Sequence, residues 1–113
     1  MEISGGKWYT LEISTKNTGR RLPKISEFSG VYVIVSQKDG VKETLYIGES
    51  QNVMKRLKDH ISYSFGYRFR NNVYEYMYIK VKKEKRRFCR LTEEARLILR
   101  LTPSYNIKGV LYG

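Results

Sequence analysis

Residues 30–48 read Gly-Val-Tyr-Val-Ile-Val-Ser-Gln-Lys-Asp-Gly-Val-Lys-Glu-Thr-Leu-Tyr-Ile-Gly. Val31 to Val35 is a compact β-branched run, and Thr44 to Ile47 is a second. Between them, Asp39-Gly40 is the dipeptide that a tight hairpin turn favours. With that pair at the turn centre, residues whose numbers sum to about 79 face each other. Tyr32 and Tyr46 then become close cross-strand neighbours. A longer loop shifts the register by a residue and changes the face each tyrosine occupies.

Periodicity changes after the hairpin. Val53, Leu57 and Ile61 recur every four residues, which predicts a helix with Ser50 as its N-cap. Arg56 and His60, also four apart, share a neighbouring face of that helix. Two phenols, a guanidinium and an imidazole thus converge near Gly48, where strand passes into helix. Residues 62–72 lose periodicity and interleave aromatics with Arg68 and Arg70. Val73 to Lys82 alternates as a strand, with Tyr74, Tyr76 and Tyr78 on one face and Met77, Ile79 and Val81 on the other. A last helix runs from Phe88 or Thr92 to Leu101 and stops before Pro103. Ahead of the hairpin, Tyr9, Leu11 and Ile13 alternate as a short strand, followed by a basic loop with Arg20 and Arg21. The order of elements predicts an α/β chain of the α+β type, with an antiparallel sheet covered by helices.

The 113 residues fit one domain, and 41% apolar content suffices for a core. The charge is lopsided, with 22 Lys and Arg against 11 Asp and Glu, a net +11. Self-repulsion of that size does not help folding, so it points to a polyanionic partner, nucleic acid before an anionic membrane. The single cysteine, Cys89, and single histidine, His60, exclude an internal disulfide and a Cys/His zinc cluster. No apolar run approaches the ~18 residues of a membrane span, and no signal-like segment opens the chain, so an intracellular location is expected.

Gly30-Val31-Tyr32, followed fourteen residues after the tyrosine by Tyr46-Ile47-Gly48, resembles the signature of the GIY-YIG nucleases. Asn52-Val53-x-x-Arg56-Leu57-x-x-His60 is similar to the family's next segment, with its arginine eight residues past Gly48. Glu94-Ala95-x-Leu97-Ile98 and Pro103-x-Tyr105-Asn106 resemble its metal-binding glutamate and terminal element. The similarity spans residues 30–107 in the right order. It departs at Val31, in place of isoleucine, and at Glu49, where some members carry a lysine. Lys42 is the residue proposed to replace that charge.

The resemblance implies a GIY-YIG fold with about three main antiparallel strands flanked by helices over residues 30–113. Residues 1–29 would form an extension packed on that domain, its strand lengthening the sheet. It also implies a DNA endonuclease dependent on Mg²⁺ or Mn²⁺, with catalytic positions Tyr32, Tyr46, Arg56, His60, Glu94 and Asn106. Tyr32 is the expected general base, its phenol lowered by nearby positive charge. Arg56 is expected on the phosphate and Glu94 on the metal. DNA contacts are expected from Arg20, Arg21, Lys42, Lys55, Arg68, Arg70, Lys82, Lys83, Lys85, Arg86 and Arg87. Cutting both strands would call for a homodimer or two successive nicks. The alternative is a non-catalytic nucleic-acid-binding module on the same fold.

Overall fold

A computed structural model of the chain describes residues 5–13, 26–59 and 76–103. Four strands form one antiparallel sheet: β1 (Trp8–Ile13), β2 (Gly30–Lys38), β3 (Val41–Ser50) and β4 (Tyr76–Lys83). Their spatial order is β1-β4-β2-β3. Helices α1 (Val53–Asp59) and α2 (Arg87–Leu101) complete the described elements.

The hairpin turns where its sequence says it should. Asp39 and Gly40 both take positive φ, 53° and 79°, and Lys38 pairs with Val41. That left-handed pair matches the right-handed twist of the flanking strands. Register then follows the sum of 79 only as far as Val35↔Thr44. Beyond it, Leu45 is a bulge and the next pair is Ile34↔Tyr46. Tyr32 therefore faces Gly48, and Tyr46 sits diagonally from it, two positions short of the expected opposition. The bulge has a large effect on facing. At a sum of 79, an odd number, Tyr32 and Tyr46 would point to opposite sides of the sheet; the extra residue puts them on the same side.

That side holds the main core. Leu11, Tyr32, Ile34, Leu45, Ile79 and Val81 pack under Val53, Met54 and Leu57 of α1, with Phe28 closing the end. The other side is smaller: Val33, Val35 and Ile47 meet Tyr78 and Leu97 and Ile98 of α2. The alternation expected for the fourth strand holds for Tyr78 against Ile79 and Val81, whereas Val73 and Tyr74 lie outside the described residues.

Helix α1 is capped by Asn52, not by Ser50. The Lys55 N–H donates to Asn52 Oδ1 at 3.1 Å, and Ser50 Oγ instead accepts from the Asn52 N–H at 3.0 Å. The helix's first N–H, from Val53, donates to the Phe28 carbonyl at 2.9 Å. Ser29 Oγ donates to the Gln51 carbonyl at 3.0 Å. The strand-to-helix joint is thus tied to the segment entering β2. Helix α2 ends at Thr102, which adopts the left-handed conformation and returns its N–H to the Ile98 carbonyl at 2.9 Å, just ahead of Pro103.

Candidate active site

Gly48 makes room for Tyr32. A Cβ built on Gly48 would fall 2.5 Å from Tyr32 Cζ, so only glycine lets the ring lie flat across the strand. Tyr32 is 1% exposed. The ring of Tyr46 stacks beside it at 6.1 Å between centroids and 25° between planes. Offset stacking of this kind is favourable and also orients the two hydroxyls.

Arg56, in the second turn of α1, reaches both rings, and its guanidinium hydrogen-bonds to each phenol. A planar fork with several N–H donors suits a two-acceptor task that a lysine ammonium cannot reproduce. Burial works against the Arg56 charge, but the two phenols more than offset it, and its proton is held more tightly than usual. The Tyr32 phenol is pushed well above its ordinary value, first by burial and then by Tyr46. Arg56 opposes the shift through its charge and its hydrogen bond without reversing it. Arg56 alone does not produce the expected lowering: desolvation of a buried phenolate outweighs a single neighbouring cation.

Glu94, in the second turn of α2, is half-buried, and its charge is felt at Tyr32. Its carboxyl is pushed up by burial and by Glu49, and a hydrogen bond from the Glu49 backbone partly restores it. Tyr32, Tyr46 and Arg56 thus form one group, and Glu94 acts on it weakly through Tyr32. His60 and Asn106 lie outside the described residues, as do Arg20, Arg21, Arg68 and Arg70.

Among the remaining basic positions, Lys55 is exposed on α1, and Lys85, Arg86 and Arg87 are exposed where β4 turns into α2. Arg86 is engaged by Glu84 at 2.9 Å, and Lys82 by Glu93 at 3.6 Å. Lys83 is half-buried. Lys42 does not stand in for a lysine after Gly48. It occupies the turn end of β3 on the opposite side of the sheet, its ammonium 5.8 Å from the Tyr78 ring centroid.

One residue of the basic run behaves unlike its neighbours. Arg90 is buried at 2% exposure, and its Nε donates to Glu49 Oε2 at 2.9 Å. Its Nη1 donates to the carbonyls of Lys85 and Glu84 at 2.7 and 3.3 Å. The only hint of this in the sequence is position: Arg90 lies one helical turn before Glu94, inside a run that otherwise reads as a solvated face.

Among the described residues, no group of three His, Cys, Asp or Glu side chains is arranged to hold a metal. One carboxylate nonetheless fits a hard divalent cation that keeps several waters and shares substrate phosphate oxygens. Glu94 has the right chemistry, since an incoming cation would relieve its repulsion with Glu49. No described helix is long and apolar enough to cross a membrane.

A family model described as the GIY-YIG catalytic domain matches residues 28–106. Neither a curated protein nor a solved structure shows significant similarity to the chain.

Proposed function

Because this chain belongs to the GIY-YIG family, whose domains are nucleases, we propose that it is a divalent-metal-dependent DNA endonuclease cutting at the Tyr32–Tyr46–Arg56–Glu94 cluster. The observation that carries the reading is the convergence of both motif tyrosines on one guanidinium, with the α2 carboxylate in electrostatic contact.

In phosphodiester hydrolysis, water forms a new P–O bond, the bond to the leaving oxygen breaks, and a proton moves from the water to a base. Arg56 is the phosphate clamp, because its fork makes charge-assisted bonds to two oxygens and never loses its proton. Tyr32 is the proposed base. Its raised phenol holds its proton at rest, so its working form depends on positive charge brought close. A divalent cation held by Glu94 would supply that charge and polarise the phosphate. Tyr46 and His60 are assigned to proton relay and Asn106 to orientation, following the family resemblance.

Residues 1–29 are read as an extension to the catalytic domain of residues 30–113. The exposed cations Lys55, Lys85, Arg86 and Arg87, with Lys82 and Lys83, are assigned to the DNA backbone, and Lys42 and the basic residues outside the described segments join them. Mg²⁺ or Mn²⁺ is the proposed ion and the cell interior the proposed location. Cleavage of both strands would use a homodimer.

The test compares wild type with Glu94→Ala on linear, nicked, flapped and four-way DNA, with and without Mg²⁺ or Mn²⁺. Metal-dependent cutting that disappears in the variant while DNA binding persists supports the nuclease. Binding without cutting on every substrate would leave a non-catalytic nucleic-acid module.

A further inference from the structure

Among the described residues, the sheet face opposite Tyr32 and Tyr46 is only partly roofed. Helix α2 packs on β3 and β2, and between it and strands β4 and β1 runs a groove of about 650 Å³. Its walls carry two aromatic rings, Trp8 from β1 and Tyr78 from β4, and four long basic side chains, Lys42, Lys82, Arg96 and Arg100. Lys80 adds a fifth cation, and Glu93 is the single acid of the lining. Trp8 is 39% exposed. Each ring has an ammonium beside it: Lys82 lies 5.7 Å from the Trp8 centroid and Lys42 5.8 Å from that of Tyr78. The two rings are offset by four residues along β4, since Trp8 pairs with Lys82, a span of about 13 Å.

We infer that this groove binds single-stranded DNA, the unpaired arm of a branched or flapped substrate of the nuclease proposed above, on whose activity this role rests. Flanking cations provide for phosphates, and aromatic faces provide for bases. A duplex hides its base faces within the stack, so rings on a groove wall are of use only to an unpaired strand. The groove reaches α2 at Glu93, which precedes Glu94 in the chain. Trp8 belongs to β1, ahead of the family match over residues 28–106, so its ring is contributed from outside the matched domain while the rest of the lining lies within it.

Trp8 is the chain's only tryptophan, so its fluorescence reads the groove directly. With chelator present to prevent cutting, the chain is titrated with oligo(dT), with a duplex of equal length and with oligo(U). Oligo(dT) is expected to quench Trp8 saturably and to bind more tightly than the duplex. Trp8→Ala, and separately Arg96→Glu with Arg100→Glu, should each weaken oligo(dT) roughly tenfold or more, by anisotropy of a labelled strand. An unmoved Trp8 signal, a duplex bound as tightly as oligo(dT), or full affinity in both variants would overturn the groove. Oligo(U) bound as tightly as oligo(dT) would overturn its assignment to DNA. Cleavage of plain duplex in Mg²⁺ is scored separately. A chain that cuts without quenching keeps the nuclease and loses the groove. One that quenches and never cuts loses the nuclease, and with it the role as a substrate arm.

Discussion

Arg90 and Glu49 form an ion pair that is unequally buried: the arginine side chain is 3% exposed and the glutamate 20%. Its two members therefore fail differently. Glu49→Leu leaves a buried guanidinium with two carbonyls and no counter-charge, and should cost about 3 kcal/mol. Arg90→Met leaves a carboxylate that turns to water, and should cost less. The double variant should recover much of the Glu49→Leu loss in urea titrations. Additive losses would show that the two charges do not depend on each other.

Gly48→Ala tests the seat of the Tyr32 ring. The new methyl would overlap the phenol, so the ring or the strand must shift. A loss of about 1–3 kcal/mol is expected from overpacking. Cleavage should fall by about a hundredfold or more at temperatures where the fold remains intact, since small displacements of a reacting group are costly. Circular dichroism beside the cleavage assay separates the two effects.

If the Tyr32 phenolate is the base, its raised titration makes cleavage climb with pH through neutrality and beyond. Tyr32→Phe should remove that slope and about 10²–10⁴ of the rate. Arg56→Lys keeps a charge but loses the fork across both phenols, and should cost about a hundredfold in cleavage. Near-normal rates in either variant would remove that residue from the chemistry.

Glu94 should show a conflict between activity and stability. Its carboxyl is raised in the fold, so the neutral form is favoured, and its stabilising effect is lost as pH rises through the folded value. Glu94→Gln should therefore melt higher than wild type at neutral pH, match it in acid, and cut nothing. If Glu94 holds the metal as a carboxylate, the acid limb of cleavage should lie above the ordinary glutamate value of about 4.3. Glu49→Gln removes one cause of the shift and should move that limb to lower pH.

The strands and helices were legible because alternation, the Asp-Gly turn and the spacing of Val53 and Leu57 are local signals. The meeting of Tyr32, Tyr46 and Arg56 was legible through motif order. Three features were not. Leu45 is an ordinary strand residue, and nothing in the local pattern marks it for a bulge. Asn52 and Ser50 are both good capping residues, and the choice between them depends on where the chain leaves the sheet. Arg90 lies in a basic run, and its burial depends on Glu49, forty-one positions away. The direction of the Tyr32 shift was missed for a related reason: charge can be counted in a sequence, but desolvation cannot.

The bulge at Leu45 also sets a rule of phase for the hairpin. The site needs the two tyrosines on the same side of the sheet, which an even count secures, and Gly48 opposite Tyr32, which only the present register secures. Two residues added to a turn that stays tight would keep the rings on one side but move Gly48 out from opposite Tyr32. One added residue would send Tyr46 to the far side, unless the strand flattened and Leu45 rejoined the ladder. The tip of the hairpin can thus vary in sequence, and in size only where the loop absorbs the added residues, while the chemistry at its base stays aligned.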